Sequence, residues 1–179
     1  IDVLQYFAIS LTLAGIQVFL MTSFFMDAFE MDSGIMKSIE NLPGQNNNPF
    51  LNIDFNIFIQ YQGLIYIAGV PISALSSWLV YFFFGNKLYN FTEHLVLNLY
   101  YSAQVIIITA VLSILFLVLG LNYFIVSGLV VLPTIIYLGY VLKDVFKESV
   151  VETFAKFLLV LILYGILYFI VMLVIILSL

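Results

Sequence analysis

The stretch LVLNLYYSAQVIIITAVLSILFLVLGLNYFIVSGLVVLPTIIYLGYVL, residues 95–142, contains no charged side chain. One bilayer crossing needs only about 20 apolar residues. The run therefore reads as two crossings, turning at Gly120, Leu121 and Asn122. Three more uncharged runs surround it, at 3–26, 55–86 and 157–179. The expected fold class is all-α: a polytopic membrane protein, a single transmembrane domain over 1–179 with a bundle of five transmembrane helices. The helices are expected at 3–26, 62–85, 91–119, 122–142 and 154–178, with an outer loop at 27–61. Closed β-barrels also cross bilayers, but through strands of about 10 residues with alternating polarity. The runs here are too long and too uniformly apolar for that.

Composition agrees. The chain is 64% hydrophobic and 8% charged, against about 25% charged in soluble domains, so lipid must solvate most of its surface. It has no cysteine, which excludes disulfides and thiolate metal sites. There is one histidine, no arginine, and five lysines: Lys37, Lys87, Lys143, Lys147 and Lys156. A net charge of −5 argues against a nucleic-acid partner, which would need a basic patch. The chain starts at Ile1 inside an apolar run, as part of a longer protein would. That first run is too long for the apolar region of a signal peptide, and no small-residue cleavage site follows it.

Loop charge suggests an orientation. Segment 27–62 holds Asp27, Glu30, Asp32, Glu40 and Asp54 against one lysine, whereas 86–94 and 143–156 hold the other four. Lysine-rich short loops stay cytoplasmic, which puts the N-terminus inside and Leu179 outside. Within the outer loop, Ile35, Met36, Ile39 and Leu42 follow the possible cap Asp32-Ser33 at helical spacing, and Pro43-Gly44 would stop that helix. Residues 45–49 form a polar turn region. Leu51, Ile53, Phe55, Ile57, Ile59 and Tyr61 then alternate as a strand would. A strand here has no partner, so an interfacial helix remains open as well. No internal repeat, low-complexity polar tract or soluble second domain is found.

The second span contains Pro71 and a small-residue stripe, Gly69, Ser73 and Ser77, which would let a neighbouring helix approach closely. Pro71 and Pro133, the latter near Gly128, each remove a backbone donor and should bend their helices. Packing is the favoured reading of these features. The sharper reading, a gated pathway between broken helices, wants polar groups at the midplane.

The most distinctive segment follows Gly85. At 100° per residue Asn90, Glu93, His94, Asn98, Tyr101 and Gln104 share one face about 140° wide. Polar groups at such depth face a bundle interior or a watery cleft. Asn90 with Glu93 also fits a capping box, and a glutamate there suits the helix dipole. His94 and Asn98 could simply bond a neighbouring helix. Catalysis fits poorly: Glu93 and His94 point about 100° apart, and a zinc-protease helix needs two histidines one turn apart. A metal at His94 would need Asp144, Glu148 or Glu152. Those three repeat at four-residue spacing as an acidic stripe, with Glu152 set to pair with Lys156. The serines of the second span, Ser73, Ser76 and Ser77, have neither a second histidine nor an aspartate in the bundle to make a catalytic set. Gln17 and Gln104 lie near the middle of their spans, and one or both are expected to bond across helices. No Asp, Glu, Lys or Arg occupies a span centre to relay protons.

At Tyr89-Asn90-Phe91-Thr92-Glu93-His94-Leu95-Val96 the chain resembles an uncharacterised bacterial membrane family, domain of unknown function 3667. The family has a similar Y-N-x-x-E-H-L-V element after a proline-containing span. Pro71, Ala74 and Leu75 look like its upstream proline element, and 137–149 resembles its tyrosine-and-lysine cytoplasmic segment. Members often carry a short cysteine-rich ribbon before the membrane part, and residues 1–179 contain no cysteine. The five-span plan is also similar to Yip/Yif-type proteins. The resemblance implies a bacterial inner-membrane location and names no substrate.

The leading expectation is a non-enzymatic integral membrane subunit or scaffold without a cofactor. It would pack against other integral membrane proteins through small-residue stripes and its one Trp, 12 Tyr and 18 Phe. A small transporter or channel with a cleft at Glu93, His94, Asn98 and Gln104 is the first alternative. A membrane enzyme with a metal at His94 is the second.

Overall fold

The computed structural model describes residues 2–25, 61–85, 87–121 and 123–178. It is all-helical over these residues: α1 (Val3–Phe24), α2 (Gln62–Phe84), α3 (Phe91–Val118), α4 (Tyr123–Phe146) and α5 (Val150–Ser178). All five are long and apolar enough to cross a membrane. Their outer surfaces carry large apolar side chains such as Leu4, Phe19, Leu129, Ile136, Phe154 and Ile162, each more than half exposed. Only lipid could solvate so large an apolar surface. The expected short helix at Ile35–Leu42 and the alternating segment from Leu51 lie outside the described residues, apart from Tyr61, which caps α2.

Each boundary has a local cause. Asp2 accepts from the Leu4 N–H at the start of α1. Asn90 and Glu93 form the capping box of α3: Asn90 Oδ1 accepts from Glu93 N at 3.0 Å, and Glu93 Oε2 accepts from Asn90 N at 2.7 Å. α3 ends where the uncharged run was expected to turn. Gly120 N–H donates to the Leu117 carbonyl at 2.9 Å and Leu121 N–H to the Phe116 carbonyl at 3.0 Å. This is a Schellman motif, and the φ of +76° at Gly120 is what it requires.

Two boundaries differ from expectation. α4 continues past Leu142 to Phe146, carrying Lys143 and Asp144 inside the helix. α5 starts at Val150 rather than 154 because Ser149 and Glu152 form a second capping box, with the Glu152 N–H on Ser149 Oγ at 3.3 Å and Ser149 donating to Glu152 Oε2. The lysine-bearing connection is thereby reduced to Lys147, Glu148 and Ser149. Both α2 and α4 run unbroken through Pro71 and Pro133.

The helices pack as a ring in the order α1, α3, α4, α5, α2, with α2 and α3 also in contact across it. α3 thus touches three neighbours, α1, α2 and α4. The core has two main parts. Phe7, Ala14, Val70, Leu99, Ala103 and Ile106 join α1, α2 and α3. Tyr81, Leu138, Leu142, Phe146 and Phe157 join α2, α4 and α5 near the lysines. The ends of α2 and α4 and the starts of α3 and α5 meet there: Tyr89 packs edge-on against Phe146, and Lys156 Nζ lies over the Tyr81 ring. Trp78, Phe82 and Phe91 cluster at the same end, as an interfacial aromatic belt does.

Candidate functional site

The polar face of α3 is divided among three helices. His94 and Asn98, 2% and 1% exposed, turn toward α2. Asn98 Oδ1 accepts from Ser73 Oγ at 2.5 Å; its Nδ2 donates to Ser77 Oγ at 3.0 Å and to the His94 carbonyl at 2.8 Å. Ser77 Oγ also lies 3.0 Å from His94 Nδ1. The Ser73 and Ser77 members of the expected stripe are therefore hydrogen-bonding partners of α3 as well as spacers. Gly69 looks elsewhere: a side chain there would meet the Tyr164 hydroxyl of α5 at 3.5 Å. Four-residue steps rotate a stripe by about 40° each, enough to pass from one neighbour to another.

One turn further on, Tyr101 turns toward α4. It donates to the Thr134 carbonyl at 2.9 Å and stacks with Tyr137. Gln104 accepts a hydrogen bond from the Tyr6 hydroxyl of α1, which meets the expectation for a mid-span amide. Gln17 behaves differently. Its Nε2 donates to Met21 Sδ at 3.2 Å within α1, so no cross-helix bond of Gln17 is made by that group. Asn90 and Glu93 are exposed and occupied with the cap.

Near the lysine-bearing end the Tyr81 ring stacks on Phe146 with centroids 3.5 Å apart, and the His94 ring stacks on the same Phe146 at 5.4 Å. Beside them Lys156 pairs with Glu148, their side chains 12% and 6% exposed. This corrects the expected acidic stripe. Glu148 lies in the turn and is part-buried with Lys156. Asp144 pairs with Lys147 in solvent at 2.7 Å, and Glu152 caps α5 instead of pairing with Lys156. A four-residue spacing carries across a helix only, and Ser149 interrupts it. Among the described residues no three His, Cys, Asp or Glu side chains come together. The metal reading at His94 has no ligand set there.

Sequence reasoning missed Tyr81, Phe146, Tyr6 and the Glu148–Lys156 pair. Tyr81 continues the series Gly69, Ser73, Ser77 and could have been found by extending it. A tyrosine or phenylalanine within an apolar run otherwise looks like any lipid-facing aromatic. The ion pair spans a turn at a spacing no helical rule selects.

Two clefts lie beside α3. The first, about 250 Å³, lies between the start of α3 and the end of α4 and is walled by Tyr89, Val96, Leu97, Val145 and Phe146, with Thr92, Glu93 and His94. The second, about 310 Å³, lies among Tyr6, Tyr100, Tyr101, Gln104, Tyr137 and Val141. Leu97 and Val145 line both. Glu93 and His94 reach the first, and Tyr101 and Gln104 reach the second. Asn98 lines neither cleft.

The fold and this arrangement define a multi-pass helical membrane protein. No protein-family model matches the chain, and no curated protein or solved structure matches it either.

Proposed function

We propose that the chain is a non-enzymatic integral membrane subunit or scaffold that packs against other integral membrane proteins. One observation carries this reading: His94, Asn98, Tyr101 and Gln104, the polar side chains deep on α3, each bond a neighbouring helix. Side chains spent on holding helices together are not free to carry a substrate. A surface for partners remains. α5 buries least of the five helices, and Gly165 on it is exposed with open space around its Cα, a place where another helix could approach closely. The reading includes a bacterial inner-membrane location, a cytoplasmic N-terminus, an outer C-terminus, and kinship with the membrane family whose Y-N-x-x-E-H-L-V element Tyr89–Val96 resembles. Purification in a gentle detergent, with mass spectrometry of what accompanies the protein, tests it. A defined membrane protein in fixed stoichiometry is expected. A chain that elutes alone overturns the reading.

The two clefts, one at Glu93 and one at Gln104, favour a second reading, a small transporter. In that case Glu93→Gln would abolish flux while leaving the folded protein intact. As a cap it would cost little.

A further inference from the structure

Three buried polar atoms at the lysine-bearing end have no hydrogen-bond partner among the described residues: Tyr81 Oη, Glu148 Oε2 and Thr153 Oγ1. Tyr81 and Thr153 are 2% and 5% exposed, and the Glu148 side chain 6%. A fourth such atom, Gln62 Oε1, lies at the far end of α2. Polar groups held out of solvent are nearly always paired, so three orphans at one end of the bundle call for one physical cause.

The three surround the Glu148–Lys156 pair. Lys156 donates to the other carboxylate oxygen, Oε1, and its Nζ stands 5.3 Å from the centre of the Tyr81 ring. Glu148 is near enough for its charge to act on the Tyr81 hydroxyl. Thr153 precedes Lys156 by three residues and so shares its face of α5. Side chains on a helix lean toward its N-terminus, so Lys156 reaches back past Thr153 to Glu148. The Thr153 N–H donates to the Ser149 carbonyl at 2.9 Å, which holds this turn of α5 against the residue next to Glu148.

Charge decides what fits among these atoms. An anion is repelled by Glu148. A cation would add to Lys156, whose charge Glu148 already balances. Of the three orphans, the carboxylate oxygen only accepts, and the two hydroxyls donate or accept. A small neutral molecule with two hydrogens and two lone pairs matches them. One hydrogen goes to Glu148 Oε2, the other to one hydroxyl, and a lone pair takes the hydrogen of the second hydroxyl. Buried waters make about three such bonds.

We propose that this site binds one internal water, bonded to Tyr81 of α2, to Glu148 of the turn between α4 and α5, and to Thr153 of α5. The water completes the shell of the carboxylate and keeps the ion pair charged inside the bundle. It also adds a polar link between α2 and α5 to the contact of Lys156 with the Tyr81 ring.

The test is the sign of a hydroxyl deletion, read by unfolding in mixed detergent. Removing a buried hydroxyl that bonds nothing is neutral or stabilising, whereas removing one that bonds a held water is destabilising. Tyr81→Phe keeps the ring stacked on Phe146, and Thr153→Val keeps the shape of its side chain. Each is expected to lower the folding equilibrium constant about fivefold, the scale of one hydrogen bond. The double variant should lose less than the product of the two single losses, because both hydroxyls bond one molecule and not each other. Either single variant as stable as wild type, or more so, overturns the proposal. So does a double variant whose loss equals the product. Stabilisation of wild type by sodium chloride beyond that by equal choline chloride would make the occupant a cation and overturn it as well.

Discussion

Asn98 makes three hydrogen bonds where lipid-facing helices offer few partners. Removing it leaves the Ser73 and Ser77 hydroxyls to find others, and bonds of this kind between membrane helices are each worth about 0.6–1.7 kcal/mol. Asn98→Ala is expected to destabilise the bundle by about 1–2 kcal/mol, read by unfolding in mixed detergent. The buried ion pair is more sensitive. Lys156→Met would leave Glu148 as an unpaired charge at 6% side-chain exposure, which costs about 3–5 kcal/mol. Adding Glu148→Gln to the same chain should recover most of that loss. A double-mutant cycle with no recovery would show the pair to be solvated. That Glu148 and Lys156 meet was not legible in the sequence, since the spacing rule that paired Glu152 with Lys156 assumes one continuous helix. The Ser149 hydroxyl, by capping α5, takes Glu152 for itself.

At the scale of elements, helix ends are decided by short-range chemistry. The capping box at Asn90 and Glu93 was readable because its spacing is fixed by geometry. Asn90→Ala should cost about 1 kcal/mol, whereas Glu93→Gln should leave the unfolding midpoint nearly unchanged. The end of α2 is more tightly constrained. A Cβ at Gly85 would stand 2.7 Å from the Tyr81 carbonyl oxygen and 2.9 Å from the Tyr81 ring. Gly85→Ala must displace backbone, and with it the ring stacked on Phe146. A loss of about 1–3 kcal/mol is expected, with altered near-ultraviolet circular dichroism from the displaced aromatic cluster. Ser149 and Glu152 carry the same box signature as Asn90 and Glu93, so the start of α5 was available to the same reasoning. The acidic-stripe reading treated those residues as one helical face and so concealed it.

For the whole molecule, the free face of α5 predicts where a partner helix lies. Gly165→Leu should abolish co-purification of a partner while leaving the stability of the isolated chain within about 0.5 kcal/mol of wild type, as substitutions away from packed sites do. Loss of the fold itself would place Gly165 inside the bundle instead. Five spans, their approximate limits, the turn at Gly120 and the polar character of one face of α3 were all determined by the sequence. Each of them follows from local physics: the bilayer demands long uncharged runs with internally satisfied backbones, and helical periodicity places polar residues on a common face. Only the tertiary structure decided which neighbour each polar residue meets: His94 and Asn98 meet α2, Tyr101 meets α4 and Gln104 meets α1. Helices in lipid are sorted by close packing and by hydrogen bonds between them, and a small-residue stripe or a polar face marks a contact without naming the helix that makes it. The order of the ring therefore turns a single polar stripe into three separate joints and leaves two clefts beside them.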